Sequence, residues 1–155
     1  MKKLLILPLF LALTLIGYAQ NPKPSLNYTS AEIIIKGAIE YAEANNIKVA
    51  ISIYDDGGNL VAFAKMDGAS QGASKVSQWK GESAAAYQVA TSQSGAWNVP
   101  EAPAIATIAG GLPIKTKDGI CIGGLGVSGA AKEVDVQCAI AGLKKAGLYF
   151  DEVKK

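Results

Sequence analysis

Histidine and arginine are both absent from this 155-residue chain, which leaves few reactions open to it. Without imidazole there is no Ser-His-Asp triad and no zinc site built on histidine. Without guanidinium there is no bidentate clamp for a carboxylate or phosphate. Chemistry falls to Asp, Glu, Lys, Tyr, Ser, Cys, Met and backbone groups. Ser128 has no histidine to activate it and no GxSxG elbow around it. Lys80 works as a base only where burial lowers its pKa, and otherwise it is a solvated or snorkelling side chain. Met66 and Asp67 belong first to a turn, Met-Asp-Gly. Asp55-Asp56 either binds a cation or favours a water-facing turn. Cys121 and Cys138 form a disulfide or stay as two small buried thiols; spacing does not choose between them.

The glycine pattern points to one stretch, Gly110 to Gly129, reading GGLPIKTKDGICIGGLGVSG. Asp118-Gly119 is a hairpin signal, because both residues accept the positive φ of a two-residue turn. Glycines at both ends strip side chains from the hairpin and let a helix, another backbone or a ligand approach. Within it, Gly124 to Gly129 matches the dinucleotide fingerprint GxGxxG. A Rossmann unit needs a further parallel strand after the helix, with an acidic residue for the ribose, and this sequence offers none. Glycine for close packing is the better reading.

The elements that would position these residues follow from periodicity. Thr29 to Glu32 has the form of a capping box and opens a helix running to about Ala44, with Ile34, Ala38, Tyr41 and Ala42 on one stripe. Val49 to Tyr54 and Leu60 to Met66 alternate as strands around Asp55-Asp56-Gly57-Gly58-Asn59. Ser70 to Thr91 reads as an alanine-rich helix and Ser92 to Pro103 as a loop. Ala104 to Ala109 reads as a strand, followed by the hairpin and a helix over Ala131 to Ala146. The order is α-β-β-α-β-β-β-α. It predicts an α+β domain with a five-stranded antiparallel sheet flanked by helices.

Residues 1–19 carry Lys2 and Lys3, an apolar run from Leu4 to Ile16, and Gly17-Tyr18-Ala19, the three parts of a secretory signal peptide. Export, periplasmic or secreted, is the expectation, with no stable membrane span once the signal is cleaved. Residues 20–28 then form a flexible mature N-terminus, 29–150 a single domain and 151–155 a charged tail. Cleavage removes two of the fifteen lysines and leaves thirteen basic and thirteen acidic residues. A neutral chain without a basic run does not suggest a nucleic-acid partner.

Four blocks in this order resemble one family. They are DDGGNLVAFAKMDGA (Asp55 to Ala69), WKGESAAAY (Trp79 to Tyr87), GGLPI (Gly110 to Ile114) and DGICIGGLGVSGA (Asp118 to Ala130). The chain is similar to GlcG/HbpS-like haem-binding and haem-degrading-domain proteins, related to the C-terminal domain of PduO-type corrinoid adenosyltransferases. The resemblance implies an antiparallel sheet with flanking helices, assembly into homo-oligomers, and a pocket that takes haem or a corrinoid. It places Met66, Asp67, Gly68, Lys80, Gly110, Gly111, Pro113, Gly126, Ser128 and Gly129 at the rim of that pocket. Histidine ligation of iron cannot be copied to this chain. Axial ligands would have to be Met66, a tyrosine, a cysteine or Lys80, or the ring is held without one. Lys75, Lys80, Lys115 and Lys117 would replace arginine as partners of propionates.

Three functions follow from these residues. The first is an exported, non-enzymatic protein binding a small flat organic molecule such as a tetrapyrrole. The second is a homo-oligomeric interaction module whose alanine and glycine faces serve packing. The third is an enzyme on a small metabolite with Lys, Tyr or Asp as acid or base. The decisive expectation is geometric: the Met-Asp-Gly bend, Lys80 and the glycine-edged hairpin surround a hollow.

Overall fold

The computed structural model describes residues 22–99 and 101–150. The segment read as a signal peptide and the charged tail lie outside the described residues. In chain order the elements are α1 (Tyr28–Ala44), β1 (Ala50–Asp55), β2 (Leu60–Lys65), α2 (Gln71–Tyr87), α3 (Thr91–Ser94), β3 (Gly111–Lys115), β4 (Cys121–Ser128) and α4 (Lys132–Lys145). The four strands form one antiparallel sheet in the order β2-β1-β4-β3.

The α+β class stands, but the sheet has four strands where the sequence predicts five, and the element order is α-β-β-α-α-β-β-α. The missing strand is Ala104 to Ala109. Three of its backbone groups are held by side-chain hydroxyls instead of a ladder. The Ala106 N–H donates to Ser83 Oγ at 2.8 Å, and the Ala106 carbonyl accepts from Ser94 Oγ at 2.8 Å. Thr91 Oγ1 donates to the Ile108 carbonyl at 2.7 Å and accepts from the Gly111 N–H at 2.9 Å. Two of those hydroxyls belong to α3, a short helix that starts at the last residue of the expected Ser70 to Thr91 helix and runs into the stretch expected to be a loop; α2 itself ends at Tyr87.

Smaller corrections have local causes. The cap of α1 is Asn27, whose Oδ1 accepts from the Ser30 N–H at 2.8 Å, so Thr29 lies inside the helix. Just after α1, Asn46 takes the left-handed conformation, with φ 54°. At the hairpin tip only Gly119 has positive φ (78°), and the Gly119 N–H donates to the Thr116 carbonyl. The tip is therefore a longer turn ending in a left-handed glycine, not a two-residue turn with two positive φ values.

The two faces of the sheet are built differently. Register aligns Ile53, Leu125 and Leu112 in one row, and Ile51 with Val127 in the next. These side chains meet Ile34 and Ala38 of α1 and Cys138, Ala139 and Leu143 of α4 in the main core. The opposite face carries Ser52, Gly126 and Gly111 in one row and Tyr54, Gly124 and Pro113 in another. Helix α2 lies on it through Ser77, Gly81, Ala84 and Ala85. A register shift beside Ile53 leaves Val61 unpaired and puts Leu60 opposite Tyr54, on the same face as Phe63.

Candidate functional site

Helix α2 presents Ser77, Lys80, Gly81 and Ala84 towards the sheet. Small residues at that spacing let the helix backbone settle almost onto β4. A Cβ built at Gly126 would lie 2.0 Å from the Ser77 carbonyl oxygen, and one at Gly124 would lie 2.3 Å from the Gly81 carbonyl oxygen. Gly111 is equally close to the Lys80 carbonyl, at 2.5 Å. The hollow expected between Lys80 and the hairpin is therefore closed by α2 itself. The hairpin glycines serve the approach of a helix, one of the uses the sequence allowed.

Lys80 is 1% exposed, and its ammonium ends at the edge of this packing. Nζ donates to Asp135 Oδ2 at 2.9 Å and to the Val127 carbonyl at 3.0 Å. Asp135, 2% exposed, accepts the Ala130 N–H on its other oxygen at 3.0 Å. Burial pushes the Asp135 carboxyl up, against the pull of Lys80 and of the Ala130 N–H. The two residues form an acid–base pair sealed from solvent. Gly110 closes the top: its φ is 122°, and a Cβ there would lie 2.6 Å from Lys80 Nζ. Asp135 was missed in the sequence. Its signal was position, three and four residues before the buried Cys138 and Ala139 on one stripe of α4.

Met66, Asp67, Gly68, Ser128 and Gly129 lie near the same end of the sheet, whereas Pro113 shares a row with Tyr54 and Gly124 farther along it. The Met66 carbonyl accepts from the Ala69 N–H, closing the Met-Asp-Gly bend. Met66 is half-buried against the core, while Asp67 and Gly68 are exposed. Gly68 and Gly129 both flank Lys48. Ser128 is nearly buried opposite Ala50, and Pro113 is fully buried. Cys121 and Cys138 are both buried and unlinked, and burial pushes the Cys138 thiol up to about 11. Among the described residues no three or more Asp, Glu or Cys gather as a metal site. Asp55 is a turn former: its Oδ1 accepts from the N–H groups of Gly57 (2.9 Å) and Asn59 (2.8 Å). Burial would raise its carboxyl, but these bonds and the Asn59 side chain outweigh burial and hold it below the usual range.

Open space lies beside the buried pair. A groove of about 750 Å³ runs between the loop Thr107 to Ala109, the segment from Ser92 to Ala96, and the first turns of α4. Its walls include Ile108, Ala109, Ala96 and Val136, with Lys132, Glu133 and Gln137 along one side. Ile108 is 44% exposed, an apolar side chain left facing this space. None of these lining residues was expected at the site. No methionine, cysteine or tyrosine lines the groove.

A four-stranded antiparallel sheet with a helix pair on one face and a glycine-seated helix on the other defines the fold class. A family model described as haem-degrading protein HbpS-like matches residues 26–144, and the chain belongs to that family. It is 35% identical over 112 residues to Protein GlcG of Escherichia coli K12, spanning 68% of this chain and 83% of that protein. Among solved structures, a Streptomyces reticuli HbpS double mutant superposes with a TM-score of 0.75 at 27% identity, covering 83% of this chain and 91% of that one. The PduOC:haem complex superposes with a TM-score of 0.76 at 24% identity, covering 83% of this chain and all of the other, and supports the fold.

Proposed function

We propose that this protein is an exported, small-molecule-binding member of the HbpS-like family, with haem or a related flat tetrapyrrole such as a corrinoid as its ligand. The observation that carries the reading is the groove at the start of α4. It offers an apolar wall of Ile108, Val136, Ala96 and Ala109 and, on one side, the cation of Lys132, held 3.8 Å from Glu133 in an exposed pair that a ligand carboxylate can replace. A flat apolar ring would gain affinity from the wall, and a carboxylate substituent would face Lys132. Family membership supports the ligand class. The lining offers the ring an apolar wall and one carboxylate a cation, and supplies no thioether, thiolate or phenolate to iron. The protein's part is to hold and orient the ring without a histidine.

Titration with haemin tests the reading, with a saturable Soret shift as the expected result. Absence of saturable binding would overturn it. Ile108→Glu locates the site, since a charge on the apolar wall should weaken binding about tenfold or more. Export is tested by expression in a bacterial host. The processed chain, starting at Gln20, is expected outside the cytoplasm, and an intact chain retained inside it would count against export.

A second reading, a homo-oligomeric interaction module, is favoured by Leu60 and Phe63. Both are exposed on the stretch of edge strand β2 that α2 does not cover. Sedimentation of the wild type against Phe63→Glu tests it, with a smaller species expected for the variant.

A further inference from the structure

We propose that Lys80 and Asp135 act as a positioning clamp that fixes both walls of the groove. The inference rests on the groove being the ligand site, and it assigns a role to two residues that do not line it. One wall is the first part of α4, where Asp135 lies between Lys132 and Val136. The other is the loop ending in Ala109, and Gly110 follows it directly. The two walls meet at one ammonium group. A Cβ on Gly110 would lie 2.6 Å from Lys80 Nζ and 3.0 Å from Asp135 Cβ, so loop, lysine and α4 are in close contact there.

The start of α4 needs such an anchor. Its N-cap, Ala131, has no side chain to cap the helix. The carboxylate of Asp135 takes the Ala130 N–H instead, so one oxygen secures the entry to the helix and the other secures Lys80. Lys80 is also tied to β4 through the Val127 carbonyl, and Val127 donates its N–H to the Gly110 carbonyl at 2.9 Å. Helix α2, strand β4, the Gly110 loop and α4 thus share one buried, hydrogen-bonded node. Two walls tied to a common node keep a fixed separation, which a rigid flat ligand requires.

Asp135→Asn keeps an oxygen for the Ala130 N–H and removes the charge facing Lys80. Haemin binding should weaken about tenfold through displaced walls, a coupling of the size carried by packed networks. Amide hydrogen exchange supplies the readout that a merely global destabilisation would not mimic. Exchange should quicken at residues 107–110 and 130–137 and stay unchanged in α1 and β1. Should Asp135→Asn fold poorly, the double variant Lys80→Met with Asp135→Leu replaces the pair by apolar side chains and removes the bond to Ala130. Local quickening at the same two segments is expected there too.

Uniform quickening, or none, overturns the clamp. If wild type binds haemin and Ile108→Glu abolishes binding, a dissociation constant for Asp135→Asn within about twofold of wild type also overturns it. If wild type does not bind haemin, or binds regardless of Ile108→Glu, the ligand reading fails, and the exchange pattern alone decides whether the clamp exists.

Discussion

The two faces of the sheet solve the same packing problem by opposite means. Towards α1 and α4 the contact is made of volume: Ile34, Ile51, Ile53, Leu125, Val127 and Leu143 interlock as a conventional apolar core. Towards α2 the contact is made by removing volume. Gly111, Gly124 and Gly126 let helix backbone rest against strand backbone, and Ser52 Oγ donates to the Ser77 carbonyl at 2.6 Å. The first face is stabilised by area removed from water and tolerates exchange of one aliphatic residue for another. The second has little apolar area to bury. It relies on proximity, hydroxyl bonds and one buried ion pair, so a single methyl group or an unpaired charge is costly there.

Breaking that contrast should give its largest effect at Gly126. Gly126→Val places side-chain atoms within the Ser77 and Gly81 backbones, which cannot yield as a flexible side chain would. The expected outcome is an insoluble protein or one without a cooperative thermal transition. A soluble variant with near-native Tm would refute the account of the α2 face. Lys80→Met comes next: it leaves a buried carboxylate without its cation, a loss of about 3–5 kcal/mol, measured by urea unfolding. Leu125→Ala on the apolar face should cost about 2–5 kcal/mol, whereas Leu125→Met should cost less than about 1.5 kcal/mol. That tolerance is the property the glycine face lacks.

The smallest effect sharpens the contrast through pH. Asp55 ends β1 and its side chain folds over the turn to β2, and its carboxyl is held below the usual range in the folded state. Its contribution is therefore present above the ordinary carboxylate pKa of 3.8 and lost as the pH falls through the lower folded value. The stability advantage of wild type over Asp55→Ala should be constant from neutral pH down to the ordinary carboxylate range and shrink below it. An advantage that grows on acidification would reverse the sign of the argument.

Much of the α1/α4 face was legible in the chain. Its residues announce themselves by period: Ile34, Ala38 and Ala42 at helical spacing, Ile51 and Ile53 at strand spacing. The α2 face was legible only as an excess of glycine, which does not say what comes close. Ala104 to Ala109 misled because an apolar run is consistent with a strand, while the partners that make it a loop are hydroxyls on Ser83, Thr91 and Ser94, distant in pattern and adjacent only in space. The groove was invisible for the same reason. Its walls come from the segment around α3, the loop before β3 and the start of α4, none of which carries a motif.

By itself the sequence determined the α+β class, the three long helices and the two hairpins, the family resemblance and the exclusion of histidine and arginine chemistry. All of these depend on residue type or on neighbours close along the chain. Only the tertiary structure decided that a helix fills the space beside the glycines, that Lys80 has Asp135 as its partner, and where open surface remains. A pairing across 55 residues is set by how α2 and α4 dock at the edge of the sheet, and no local periodicity encodes that docking.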